Sequence, residues 1–95
     1  MKKLKLFNRY HYNIWLEEIE KKTDDISIWV IKSENPEDLE YMRIIYNDDK
    51  SIYAIDPSGG PFLQVGDKIY DKDISIEILS ISSTLKFEVK DLSRK

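Results

Sequence analysis

Tyr53 to Asp67 reads Y-A-I-D-P-S-G-G-P-F-L-Q-V-G-D, and this stretch holds all three glycines and two of the three prolines of the 95-residue chain. Asp56-Pro57-Ser58-Gly59 is a turn with a mechanism: the aspartate can accept a hydrogen bond from the backbone two residues on, proline presets φ, and glycine accepts φ > 0. Gly60 before Pro61 adds a second constraint, because proline disfavours the α region for its predecessor and glycine opens conformations closed to other residues. Helix is excluded here and the chain must reverse. Phe62 and Leu63 follow at once and are expected to tuck an apolar pair beneath the loop, and Gly66-Asp67 marks a second turn before Ile69.

Two uses of this loop follow from its chemistry. It can be a tight connection between two strands and nothing more. Alternatively, the consecutive amides of Ser58, Gly59 and Gly60 form a small anion-binding concavity, or the bare backbone lets a partner approach closely. The spacings of a Walker phosphate loop and of a dinucleotide-binding turn are both absent.

Working outward, Ile74, Ile76 and Ile78 share one parity whereas Leu79 and Ile81 bring in the other, a switch that fits a β-bulge. Ser82-Ser83 makes a turn, and Leu85, Phe87 and Val89 complete a hairpin with Lys86, Glu88 and Lys90 in solvent. On the N-terminal side, Ser51 to Ile55 pairs with Tyr41 to Tyr46 across the Asn47-Asp48-Asp49-Lys50 turn. Asn35-Pro36-Glu37-Asp38 has the cap, proline and acids of a helix start, so a brief helical turn is expected there. Ile26 to Lys32 is apolar on both parities, as in an internal strand covered on two sides. Residues 2–7 suit a short strand with Leu4 on one face and Lys5 on the other.

Residues 12–22 read two ways. Tyr12, Trp15, Leu16 and Ile19 follow the i, i+3, i+4, i+7 spacing of an amphipathic helix, with Glu17–Lys21 and Glu18–Lys22 as helical ion pairs. Tyr10, Tyr12, Ile14 and Leu16 alternate instead at the period of a strand. The helix-forming run E-E-I-E-K-K tips the balance towards helix. The expected fold is therefore α+β, predominantly antiparallel β: a small curled sheet or barrel of five to six strands with one or two short helices, in a single domain over 1–95 with frayed polar ends at about 1–3 and 91–95.

Composition narrows the function. Apolar residues make up 41% and charged residues 35% of the chain, ordinary for a globular domain. Without cysteine there is no disulfide framework, thiolate zinc site or cysteine nucleophile. The apolar run of the basic N-terminus ends after Phe7 and no small-residue cleavage site follows, so a cytoplasmic protein without a membrane span is expected. Lysine outnumbers arginine 12 to 3 and isoleucine outnumbers valine 14 to 3, a bias that suits an AT-rich bacterial or phage coding sequence. The net charge of -3 disfavours a polyanionic partner, and Lys2, Lys3, Lys5 and Arg9 form the one basic patch.

No catalytic constellation stands out. His11 is the single histidine, and no G-x-S-x-G elbow accompanies it. The acids lack calcium-loop spacing, so neither a metal nor a cofactor is expected. Six tyrosines and two tryptophans are many for this length, and Tyr41, Tyr46, Tyr53 and Tyr70 exceed what so small a core can bury. The favoured function is a non-catalytic binding or interaction module, in a phage or bacterial accessory protein, that engages a protein or a small ligand through Tyr53, Asp56, Ser58, Gly59, Gly60 and Tyr70; a homo-oligomer is compatible with it. The alternative is a small barrel binding single-stranded nucleic acid with exposed aromatics and the N-terminal lysines. A hydrolase built on Asp56 and Asp67 is the least favoured.

Overall fold

The isoleucine-rich run after residue 74 forms strand β8 (Ser75–Ile81), which pairs in antiparallel fashion with β9 (Lys86–Asp91). The computed structural model describes residues 2–57, residue 60 and residues 62–93. Between β8 and β9 the register skips Leu79: Ile78 faces Val89, Ser80 faces Glu88 and Ile81 faces Phe87. The parity switch in the sequence is this bulge, and it lets Ile78 and Ile81 both reach the core.

Strand β7 (Lys68–Tyr70) completes a three-stranded meander on the far side of β8. A second meander has the same connectivity: β1 (Lys3–Leu6), β2 (Ile14–Lys21) and β3 (Ile26–Ser33). It too carries a bulge between its second and third strands, with Glu18 opposite Trp29, Glu20 opposite Ile28, and Ile19 left without a partner. The two meanders join along β3 and β9 into a six-stranded antiparallel sheet of order β1-β2-β3-β9-β8-β7. A bulge on each side of the central pair increases the local twist, and the sheet curls into a half-barrel.

A smaller sheet lies between the meanders in sequence and covers the concave face. It consists of β4 (Arg43–Tyr46), β5 (Ile52–Asp56) and β6 (Leu63–Gln64), paired in that order. The core forms where Leu4, Leu6, Ile14, Leu16, Trp29 and Phe87 of the large sheet meet Ile52, Ile55 and Leu63 of the small one. Trp29 also satisfies its polar tip, donating from Nε1 to Ser27 Oγ at 2.8 Å within the buried layer.

The helical part of the expected fold is corrected. Residues 12–22 are not a helix, because β2 occupies them and pairs on both sides. Full burial of Ile14 and Leu16 contributes about 1.5–3 kcal/mol each, which outweighs the few tenths per residue of helical preference in E-E-I-E-K-K. The helix-like position of Ile19 is a product of the bulge. At residue 36 the proline opens a single 3₁₀ turn, Pro36–Leu39, the one helical element among the described residues, and the Asn35 side chain makes no capping hydrogen bond to it. The α+β expectation reduces to antiparallel β. Strand β3 is internal as expected but covered on one side only: Trp29 is buried, whereas Ile26, Ile28 and Val30 are half-exposed on the convex face. Among the described residues no helix is long and apolar enough to cross a membrane.

Phe87 is wholly buried opposite Trp29 at the centre of the sheet. Phe87→Ala should cost about 3–5 kcal/mol. A urea titration should show the midpoint falling with an unchanged slope.

Candidate functional site

Because the sheet is curled and not closed, β1 and β7 are both edges. Between them lies a groove of about 340 Å³, with Leu6 and Phe7 on one side, Ile69 and Tyr70 on the other, and Phe62 and Leu63 between. Leu6 and Leu63 are buried and form its base. Phe7 and Tyr70, 79% and 68% exposed, stand at the rim with Phe62, so large apolar surface is held in water where a core would bury it.

Each rim residue is placed by a local rule. In β1, Leu4 and Leu6 point inward, so the next odd position turns Phe7 outward with Lys3 and Lys5. Beyond it, Asn8 organises the β1–β2 connection: its Oδ1 accepts from the Tyr10 and Tyr12 amides at 3.2 and 3.0 Å, and its Nδ2 donates to the Tyr12 carbonyl at 2.9 Å. His11, at φ +59°, sits in this turn and donates its amide to the Asn8 carbonyl. Tyr10 and Tyr12 consequently pack with ring centroids 5.6 Å apart beside an Arg9 guanidinium.

Phe62 is fixed from the other side. The Arg43 guanidinium lies 5.4 Å from its ring centre and 3.5 Å from Asp56 Oδ2, so one side chain ties together both ends of the glycine-proline loop. Asp56 Oδ1 is buried and has no hydrogen-bond partner among the described residues. After Leu63, the Gln64 amide donates to Asp67 Oδ2 at 3.0 Å and Gly66 takes φ +96°, which forms the second turn expected from the sequence and delivers Ile69 and Tyr70 to the groove.

Of the residues singled out in the sequence, Tyr70, Phe62 and Asp67 line the groove, and Asp56 is beside it through Arg43. Tyr53 is exposed on β5, next to a separate shallow depression with Asn47, Val65 and Leu79. Gly60 has φ +92°; Ser58, Gly59 and Pro61 lie outside the described residues, and so does the amide concavity they were expected to form. Asp56 and Asp67 are turned to different partners, Arg43 and the Gln64 amide. Among the described residues no cluster of three or more His, Asp or Glu could hold a metal ion. Sequence reasoning missed Phe7 and the Asn8–Tyr12 turn, although the inward parity of Leu4 and Leu6 already carried the signal for Phe7.

On the convex side of β1 and β2, Lys3 stands 5.6 Å from the Trp15 ring centre. Glu17 accepts from Trp15 Nε1 at 3.1 Å and pairs with Lys32 and Lys3 at 3.1 and 3.7 Å. The indole hydrogen bond, followed by the bond to Lys32, holds its carboxyl below the ordinary value of 4.5. No family model matches the chain, and no match was found among curated proteins or solved structures.

Two measurements check this geometry. Gly60→Ala should cost roughly 1–2 kcal/mol in a thermal melt through left-handed backbone strain, since among the described residues the added Cβ meets nothing closer than 3.9 Å. A carboxyl depressed in the folded state stabilises it above the unfolded value and loses that contribution as pH falls through the folded one. The Trp15 indole N–H resonance should therefore titrate with a midpoint below 4.5, and Glu17→Gln should remove that step.

Proposed function

We propose that this protein is a non-catalytic binding module whose recognition surface is the groove between β1 and β7. The observation that carries this reading is the trio Phe7, Phe62 and Tyr70, exposed around an apolar base. Aromatic rings supply large contact area with few rotatable bonds, so ordering them on binding costs little entropy. The groove also has binding proportions, being concave, mostly apolar and about 340 Å³ in volume. Arg43 holds Phe62 at its rim before any ligand arrives, which lowers the cost of association.

The alternative, single-stranded nucleic-acid binding, draws on a separate observation. Residues 2–16 contain Lys2, Lys3, Lys5 and Arg9 and no acid, and they place Trp15, Tyr10 and Tyr12 beside these cations. The remainder of the chain carries all 18 acids and opposes a polyanion. On that reading, affinity for an oligonucleotide falls steeply with salt.

Titration of isotope-labelled protein with a set of aromatic and apolar fragments tests the leading reading. Amide shifts should concentrate at Leu6, Phe7 and Phe62 to Tyr70, and the double variant Phe7→Ser/Tyr70→Ser should weaken binding at least tenfold while keeping its dispersed spectrum. Shifts scattered over the convex face, or unchanged affinity in the double variant, would remove the groove from consideration.

A further inference from the structure

The groove is bounded by more than side chains. The Glu18 amide donates to the Lys2 carbonyl at 2.9 Å, and bonded rungs alternate along an antiparallel ladder. Leu4 and Leu6 therefore direct their N–H and C=O groups to β2, and Lys3 and Lys5 direct theirs to the open edge. On the opposite side, the Ile78 amide donates to the Asp67 carbonyl at 2.9 Å and the Asp71 amide to the Ile74 carbonyl at 2.7 Å. By the same alternation Lys68 and Tyr70 turn their backbone groups towards the gap. Among the described residues, two strand edges without a neighbouring strand thus flank one apolar groove.

Building on the binding role assigned to this groove, we propose that its occupant is an extended segment of a partner protein that adds as a strand to β1, with acidic and apolar residues in alternation. Strand addition supplies main-chain hydrogen bonds, and pockets for alternate side chains supply the selectivity. A strand laid antiparallel along β1 continues its pleat. One set of its side chains falls beside Leu4 and Leu6, over Leu63 and Ile69, and must be apolar. The other set falls beside Lys3 and Lys5, with Lys68 across the gap.

Lys5 and Lys68 are exposed and have no ion pair among the described residues, so they are free to meet carboxylates. Two acids share this edge, Asp67 lining the groove and Asp71 beside Lys3 and Lys5; their carboxylates accept from the Gln64 and Lys72 amides and form no ion pair with Lys5 or Lys68 among the described residues. A second copy of this chain is a poor occupant, because β1 against β1 would bring lysine rows together. Single-stranded nucleic acid leaves the outward amides of Lys3 and Lys5 without the regular acceptors of a strand. Through the five antiparallel pairings of the sheet, β1 and β7 run in opposite directions, so the added strand would be antiparallel to β1 and parallel to β7.

The test is selection of random eight-residue peptides on the immobilised full chain, followed by titration of the enriched sequences. Acidic–apolar alternation should be enriched; Lys5→Glu should weaken these peptides at least tenfold, whereas the exposed control Lys86→Glu should change affinity less than twofold. Amide exchange at Lys3 and Lys5 should slow at least tenfold in the complex, a readout that a side-chain contact alone does not move. Enriched peptides without alternation, or unchanged exchange at Lys3 and Lys5, would overturn strand addition. Fragments bound in the groove alongside such a failure would leave the binding module intact and sink only the strand. Salt-sensitive oligothymidine binding at the same amides would assign the edge to nucleic acid, and a concentration-dependent dimer protected at β1 would assign it to a second copy; either result overturns the proposal.

Discussion

Trp29 and Phe87 face one another across the pairing of β3 with β9, and they are the two largest wholly buried side chains. Burial of one aromatic side chain stabilises by roughly 4–6 kcal/mol, taking about 150–250 Å² at 25 cal/mol per Å². That contact joins two meanders which, taken singly, each leave an apolar face in water. The small sheet can cover the concave face only once the join exists, and the groove exists only because the joined sheet curls without closing.

The bulges set how far the curl goes. With Ile19 and Leu79 each left out of register, the strands beside the central pair twist more strongly than a regular ladder would. Edges β1 and β7 come round to bound a single groove and stop short of pairing. Sheets usually protect such edges with charge, and β1 does so with lysines at Lys3 and Lys5. The aromatic rim stands beside the part of the sheet that this device leaves open.

Much of this was legible from residue order because the signals were local. The Asn47–Lys50 turn, the C-terminal hairpin and the parity switch after Ile78 each depend on a few neighbouring residues, and each appears where it was read. The segment from Tyr12 to Lys22 was misjudged because its propensity favours helix, whereas its conformation is decided by Leu4 on one side and Trp29 on the other. Of the residues read as a binding face, Tyr70 lines the groove and Tyr53 stands at a different depression, while Phe7, which also lines the groove, was passed over. A groove between two edges is a property of sheet order, and the alternation within a strand does not reveal which strands become its ends.

The two-meander construction also bears on how the chain reaches this state. Within each meander, strands are joined by short connections and can pair early, at small entropic cost. Joining β3 to β9 encloses every residue from 34 to 85, including the small sheet, and loop-closure entropy must be met before Trp29 touches Phe87. Distant contacts of this kind slow folding in β proteins. The pairing of β3 with β9 is thus the step on which chain topology places the largest entropic cost, and until it forms the inward-facing isoleucines of β8 lack their cover.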